Sequence, residues 1–600
     1  MNRERTKQRL LKTLEVVPDI KTVFLSDATA ETKRKRIRTF LSKMLVAVFE
    51  DNPTIPPLEW ALTRSAIGVF RNILSKRNER LAEFSLVEYI HNILTGDSPE
   101  KTPPPSADFF AELEHLLRGI TGQTGVYSEA IPAYLKHDGQ RGAKLRSTDL
   151  SRMVKASDKF MSRYACGLDS KIVRKRSMNK ARIMKHFGAT ELEWEKWKWH
   201  TRNIIRDADT LAALVKLSDE EYEAIKLAKE NRIPFGVTPY YASLMDYEPG
   251  TGRRDKAVRA QVIPPLHYIK TLKEKKACSE SSMDFMLERN TSPIEGITRR
   301  YPKICILKPI LTCPQICVYC QRNWEIEDVY SSTAVLPKEK LDAALQWLAD
   351  TPAINEVLIT GGDPLLLSNA KLENLLFRLS QMDHVERIRI GTRTPVTLPQ
   401  RITESLVRDI NHFHNPGKRE ILVVTHFEHP YEITPQAMEA VQKFHRYGMD
   451  VYNQLVYTFF NSRKFEASLL RHKLRMIGVT PYYTFNTKGK EETDDYRVPI
   501  ARLLQEQQEE ARQAPGSVRT DEIVFNVPGL GKNYLRAEQN HDIISILPDG
   551  RRLYEFHPWE KKQALVDTYV YKDVSIYNYL KRLRAAGENL ADYRTIWYYY

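Results

Sequence analysis

Cysteine is scarce in this chain, with six residues in 600. That scarcity excludes a small disulfide-stapled scaffold. Long apolar runs are missing as well. None reaches the roughly 18 residues that a membrane-spanning helix needs. The N-terminal stretch from Met1 to Lys21 is basic and amphipathic, without the apolar core and small-residue cleavage site of a secretory leader. The expected compartment is the cytoplasm, with no membrane contact. Internal repeats and zinc-finger spacing are lacking in the first 190 residues. Negative charge is outweighed, and the formal net charge is +15. The basic residues are scattered, which reads as a solvated surface, so nucleic-acid contact is not expected. The run Lys33-Arg34-Lys35-Arg36 is the single feature that would favour docking of RNA or another macromolecule. Three cysteines, 166, 278 and 305, stand apart and read as ordinary reduced thiols.

What is present is enough apolar residue, 42%, to bury a sizeable core. Composition along the chain suggests six stretches. Residues 1–97 read as helical, of unreadable role. Residues 98–106, rich in proline, read as a linker, because proline lacks an amide donor and biases the residue before it away from helix. Residues 107–190 are basic and mostly helical, and 191–299 form a further helical segment that includes an expected helix over Leu266–Leu287. From 300 to 500, short apolar runs alternate with amphipathic ones. The strands are expected at Ile304–Leu311, Glu356–Thr360, Val385–Ile390, Ile421–Thr425, Val451–Tyr457 and Met476–Phe485. The helices are expected at Lys338–Ala349, Ala370–Gln381, Ile402–Asn411, Pro435–Tyr447 and Lys464–Arg475. Residues 501–600 form a C-terminal segment with a glycine-containing loop. Strand–helix alternation predicts a parallel sheet flanked by helices. The fold class is therefore α/β, a partial (β/α)6 barrel with a helical N-terminal extension, and its chemistry belongs at the C-terminal strand ends.

The clustered cysteines carry the most information. Cys313, Cys317 and Cys320 follow the first expected strand in a Cys-x3-Cys-x2-Cys pattern. Three thiolates can ligate three irons of a [4Fe-4S] cluster and leave the fourth open. An open iron can hold the amino and carboxylate groups of S-adenosylmethionine. Electron transfer to the sulfonium then breaks a C–S bond and yields a 5′-deoxyadenosyl radical. A structural zinc site would want a fourth ligand, and none is evident near the motif. Incidental thiols remain the bland alternative.

Further motifs follow in order: Trp197-Lys198-Trp199, Thr238-Pro239-Tyr240-Tyr241, Arg300-Tyr301-Pro302, Thr360-Gly361-Gly362-Asp363, Arg389-Ile390-Gly391-Thr392-Arg393, Thr425-His426-Phe427-Glu428, Asn453-Gln454 and Pro528-Gly529-Leu530-Gly531-Lys532. With the cysteines they resemble the lysine 2,3-aminomutase family of radical S-adenosylmethionine enzymes, from about residue 190 to about 560. Residues 1–185 lie outside the resemblance. It implies that Gly361, Gly362, Asp363, Arg393, His426 and Gln454 line the S-adenosylmethionine site. It implies that Lys532 holds pyridoxal 5′-phosphate (PLP) covalently and that Arg300 and Tyr301 hold its phosphate. The lysine loop departs from the family's: it is one residue shorter and carries Leu530. The resemblance further implies an amino-acid substrate, a flavodoxin- or ferredoxin-type reductant and a homo-oligomer. Lysine-specific members carry late cysteines for zinc. This chain has none after Cys320, so no zinc is expected.

By the same resemblance Arg322 grips the substrate's α-carboxylate. Lysine-specific members bind the distal ammonium with two aspartates, and those places hold Lys488 and Asn526 here. Two like charges about 4 Å apart repel by about 4 kcal/mol at an effective dielectric of 20. A carboxylate there would be attracted, and Asn526 could donate to it. The expected activity is a glutamate 2,3-aminomutase. Lysine 2,3-aminomutase is the alternative, with Lys488 turned away and the acidic run Glu491–Asp495 serving the ammonium. A radical enzyme acting on protein or RNA is the third reading.

Overall fold

The computed structural model describes residues 3–49, 59–96, 103–127, 132–248, 254–278, 283–322, 324–326, 328–487 and 489–600. The chain forms two compact units. One comprises Lys159–Arg497 and Ala511–Lys532; the other comprises Met1–Asp158, Val498–Glu510 and Asn533–Tyr600.

The first unit is built on a sheet whose strands lie side by side in sequence order. They are β1 (Ile297–Thr298), β2 (Ile304–Ile310), β3 (Glu356–Gly361), β4 (Arg387–Gly391), β5 (Glu420–Thr425), β6 (Val451–Tyr457), β7 (Val479–Asn486), β8 (Glu522–Val527) and β9 (Gly531–Tyr534). β1 is antiparallel to β2, and every neighbouring pair from β2 to β8 is parallel. The sheet is curved. Arg389 on β4 reaches Tyr482 on β7, Nη1 to hydroxyl 3.5 Å, although two strands lie between them. Only a sheet rolled toward a barrel brings those faces together. Alternation sets which residues face the inside. In β6, Val451, Asn453, Leu455 and Tyr457 are buried, while Tyr452, Gln454 and Val456 between them are half-exposed.

Helices follow the strands at Lys338–Ala349, Asn369–Ser380, Glu404–Asn411, Pro435–Arg446 and Glu466–Met476. Their starts follow from capping. Ser368, Thr403 and Thr434 accept the amides of Lys371, Leu406 and Ala437, and Pro435 opens its helix where no amide is needed. The expected strands and helices are present, with ends that match or differ by at most three residues. Two differences matter. A seventh parallel strand, β8, extends the six expected ones. The expected helix over Leu266–Leu287 is Leu266–Cys278. Leu287 has a left-handed backbone, φ 53°, and the Asp284 carboxylate accepts the amides of Glu288 and Arg289 at 2.8 and 2.9 Å. That turn cannot continue a helix.

The second unit is mainly helical, as expected for the N-terminal region, and adds an antiparallel sheet of β10 (His541–Ile546), β11 (Arg552–Phe556) and β12 (Tyr569–Lys572). Helices Glu59–Ile73 and Ala107–Ile120 pack on each other and on β10. Buried charges are paired: Arg552 with Glu112, and Arg502 with Glu510 at 2.7 Å. The basic run at 33–36 is half buried. Lys33 donates to the Phe24 carbonyl at 2.8 Å, and Arg34 pairs with Glu79 at 2.6 Å. Two of its four cations thus serve the fold, which removes the support for a docking surface there. Among the described residues no helix is long and apolar enough to cross a membrane.

Candidate active site

The cysteine loop leaves the C-terminal end of β2. Cys317 and Cys320 share a turn, with the Cys320 amide on the Cys317 carbonyl at 3.1 Å. The Arg322 amide donates to the Cys320 sulfur at 3.3 Å, and Arg393 Nη1 donates to the Cys317 sulfur at 2.9 Å. Burial pushes the Cys313 thiol well up, and the charges of Asp363, Cys320 and Cys317 push it further. Burial likewise raises Cys317, against the pull of Arg393. The three sulfurs therefore feel one another across the loop. Such a set is costly as bare thiolates and suited to a cationic partner. Among the described residues no three His, Cys, Asp or Glu side chains converge as ligands of a single ion. A four-iron cluster asks for something different, each thiolate on its own iron. Gln315 lies within the loop, 3% exposed, and neither of its amide atoms has a partner among the described residues. By contrast Cys166 and Cys305 are buried and inert, the latter pushed up to about 12 by burial.

The Gly-Gly-Asp turn ends β3 and is stitched to this loop. Gly362 donates to the Ile310 carbonyl at 2.7 Å, and Asp363 donates to the Thr312 carbonyl at 2.9 Å. A Cβ on Gly362 would lie 2.1 Å from the Thr312 oxygen. Gly361 has φ 115°, which other residues rarely adopt. The Asp363 carboxylate is consumed locally. It accepts from the Thr392 hydroxyl at 2.6 Å and from the Arg393 amide at 2.9 Å. It therefore braces the β3 and β4 ends, and its carboxylate is not presented as a free acceptor. Arg393 is saturated too. Beyond Cys317 it meets the His426 carbonyl at 3.1 Å, Glu432 at 2.7 Å and Gln261. His426 is a third exposed, with Nδ1 3.7 Å from Glu428. Gln454 lies on the half-exposed face of β6.

Lys532 is the second residue of β9, just after the turn from β8, in which Gly529 takes φ 71° and Gly531 80°. Its amide donates to the Tyr301 hydroxyl at 2.9 Å, and its ammonium nitrogen lies 3.8 Å from the centre of the Tyr483 ring. Burial, with a smaller contribution from the Arg389 charge, brings its amine down to about 7. A half-buried amine that is free base in a large fraction of molecules near neutrality, where an ordinary lysine is almost wholly protonated, fits capture of an aldehyde.

Arg300, next in the chain to Tyr301, belongs to a charge cluster. Arg300 Nη2 and Arg322 Nε each lie 3.0 Å from the Glu288 carboxylate. Lys308 on β2 lies 3.4 Å from Glu288 and 2.7 Å from Glu325. Burial alone would raise Glu288, but Arg322, Arg300 and Lys308 outweigh it and hold the carboxyl at about 2. Arg300 Nε is buried with no partner among the described residues. The resemblance pointed to Arg300 and Arg322. It did not point to Glu288, Lys308 or Glu325. A lysine inside an otherwise apolar strand, Ile304–Ile310, was the available signal.

Lys488 lies outside the described residues, and Asn526 sits half-exposed on β8. The acidic run after Lys488 is largely occupied. Glu492 pairs with Lys275 at 2.8 Å and Lys490 at 2.9 Å, and Asp494 pairs with Arg497 at 2.9 Å.

A parallel sheet with three cysteines after its first parallel strand defines a radical S-adenosylmethionine enzyme, and residues 307–470 match the radical SAM superfamily. That class implies a [4Fe-4S] cluster and S-adenosylmethionine. An uncharacterised KamA family protein of Methanocaldococcus jannaschii is 43% identical over 558 residues, 90% of this chain and 89% of that one. The chain belongs to the KamA family. The L-lysine 2,3-aminomutase of Fusobacterium nucleatum is 33% identical over 61% of this chain and 84% of its own. The glutamate 2,3-aminomutase of Clostridioides difficile is 33% identical over 54% of this chain and 72% of its own. A match over 90% of the chain reaches into the first 185 residues, so the family likeness begins earlier than the motifs indicated.

Proposed function

We propose that this protein is a PLP-dependent radical 2,3-aminomutase that moves the α-amino group of L-glutamate to the β-carbon. One observation carries the cofactor half of the reading. An amine lowered to about 7 sits in the same unit as the half-buried Arg300 and the cysteine loop. Cys313, Cys317 and Cys320 hold the cluster. Gly361, Gly362, Arg393, His426 and Gln454 line the S-adenosylmethionine site, and Asp363 acts there through its main chain. Lys532 binds PLP covalently, with Arg300 and Tyr301 at its phosphate. Bound PLP would supply a conjugated ring that spreads an unpaired electron and so eases migration of the nitrogen.

The chain's own groups do the rest. Lys532 would hold the cofactor through its amine, and its free-base form would be the one able to capture the cofactor's aldehyde. Tyr301 pins the Lys532 amide, which fixes the reach of that amine. Arg322 holds the α-carboxylate. The aromatic walls, Tyr483 and Phe485, keep water from the radical.

Glutamate is favoured over lysine because Lys488 and Asn526 suit an anionic side chain. Carboxylates that would serve a lysine ammonium are engaged elsewhere: Glu492 and Asp494 have their own cations. The reductant is a small flavodoxin- or ferredoxin-type protein, and the assembly is a cytoplasmic homo-oligomer. The test is an anaerobic assay of the reconstituted enzyme with glutamate and lysine in parallel. Glutamate should give the β-amino isomer with 5′-deoxyadenosine chemistry. Turnover of lysine alone would overturn the specificity. Lys488→Asp should weaken glutamate turnover at least tenfold and by up to about a thousandfold, the equivalent of the 4 kcal/mol charge term.

A further inference from the structure

Glu288 lies in the turn after the helix Leu266–Cys278, ten residues before β1 ends, and belongs to none of the recognised motifs. It is 2% exposed. Its backbone is fixed by the Asp284 carboxylate, which accepts its amide at 2.8 Å. Its Oε1 accepts from the Thr298 hydroxyl at 3.0 Å and from Arg322 Nε at 3.0 Å, and its Oε2 accepts from Arg300 Nη2 at 3.0 Å. One rigid carboxylate thus spans two guanidinium groups. We propose that Glu288 is a positioning residue shared by two anion sites, holding the arginine that takes the cofactor's phosphate and the arginine that takes the substrate's carboxylate in one register. The inference rests on the roles proposed above for Arg300 and Arg322.

Geometry and charge both support it. Arg322 meets Glu288 and Glu325 through Nε, and among the described residues the terminal fork of its guanidinium has no hydrogen bond, which leaves it for a carboxylate. Arg300 meets Glu288 through Nη2, and its buried Nε has no partner among the described residues. Three cations, Arg300, Lys308 and Arg322, face two carboxylates, Glu288 and Glu325. The Asp284 carboxylate, which accepts the amides of Glu288 and Arg289, also acts on Arg300. Without Glu288 the three cations would lose the one carboxylate they share and repel one another. Both arginines would then lose their common anchor, and a fork free to swing binds an anion less well than a fixed one. A plain structural ion pair would behave differently, since its loss would lower stability without altering which ligand is preferred.

The test uses the full-length, cluster-reconstituted protein under anoxic conditions. Binding of PLP and of pyridoxal, which lacks the phosphate, is titrated by visible absorbance for the wild type and for Glu288→Gln. The wild type should prefer PLP, and the variant should lose about tenfold of that preference. The glutamate KM should rise about tenfold while kcat falls less. Glu288→Asp keeps the charge but is one methylene short of both arginines. It should lie between the two, and it gives the same readout if the glutamine variant does not fold. A variant that prefers PLP as strongly as the wild type overturns the role of Glu288 alone. A wild type that does not distinguish PLP from pyridoxal removes the phosphate from Arg300, and this inference falls with that assignment.

Discussion

Lys532 shows how a single side chain can be read twice. A lysine after glycine is ordinarily a solvated loop residue, and only its motif marked it out. The structure gives the physical reason for its chemistry. Burial, then the Arg389 charge, bring its amine from the usual 10.5 to about 7. Capture of PLP should therefore rise with pH from 6 to 8 and then level off. A capture rate that keeps climbing to pH 10 would mean an ordinary exposed lysine. The same shift has a stability consequence. Between pH 7 and 10.5 the unfolded lysine is protonated while the folded one is neutral, so stability grows as pH rises through that window, and the full cost is carried below it. Lys532→Met should abolish covalent PLP capture. In the cofactor-free protein the urea midpoint of this variant should exceed the wild type's most at pH 7 and least near pH 10.5. Residues that carry motifs were legible in this way. Glu288, Lys308 and Glu325 were not, and Arg389 stood in a motif without a role of its own, because their meaning arises from contacts between residues far apart in the chain. Charged residues within apolar strands, Lys308 in β2 and Arg389 in β4, were the overlooked sign. Asp363 was placed in the site by its motif, yet its carboxylate braces the β3 and β4 ends.

At the scale of elements, the strand–helix alternation was readable because each strand alternates and each helix carries its own cap. β8 was missed because the helical run between β7 and β8, residues 500–513, is not a regular α-helix but passes from α through π to 3-10 geometry. The element that matters most for chemistry is the junction of the β2 and β3 ends. Gly362 presses on Thr312, and a Cβ there would lie 2.4 Å from its nitrogen and 2.1 Å from its oxygen. Both contacts are backbone, so neither can swing aside. Gly362→Ala must push the cysteine loop away from β3, breaking the hydrogen bonds Gly362–Ile310 and Asp363–Thr312. The expected cost is on the order of 2–3 kcal/mol. The more specific expectation is chemical: iron bound per chain after reconstitution should drop to half or less. Circular dichroism of the helical unit should be unchanged. Full iron content in that variant would show that the turn does not brace the loop.

At the scale of the whole molecule, compact units are assembled from separated stretches, Lys159–Arg497 with Ala511–Lys532, and Met1–Asp158 with Val498–Glu510 and Asn533–Tyr600. Reading in chain order yields consecutive segments, because composition is local and packing is not. The two units should also differ in acid. In the unit that bears the cysteines, Glu288, Glu466 and Glu492 are all held at about 2. In each, burial pushes upward and neighbouring cations outweigh it: Arg322, Arg300 and Lys308 for Glu288, Arg463 and His429 for Glu466, Lys490 and Lys275 for Glu492. In the helical unit, burial raises Glu112 despite Arg552. A lowered carboxyl contributes stability that is complete above its unfolded value and lost as pH falls toward the folded one. Between pH 4.5 and 2 the unfolded chain thus binds up to three more protons at these residues. The stability of the cysteine-bearing unit should fall by up to about 4 kcal/mol per pH unit in that window. Glu112 has the opposite sign, and Glu555 in the same unit, raised by burial but lowered on balance by Arg77 and Thr568, partly offsets it, so the acid loss there is smaller. Hydrogen exchange at pH 3.5 should therefore accelerate in β2–β8 before it does in the helices Glu59–Ile73 and Ala107–Ile120. The chain's net charge of +15 adds self-repulsion in acid. Salt screens that repulsion but leaves the proton uptake of buried carboxylates largely untouched. Added salt should thus raise protection in both units without reversing their order. Helices that open first, with or without salt, would show that the buried carboxylates do not set the acid limit.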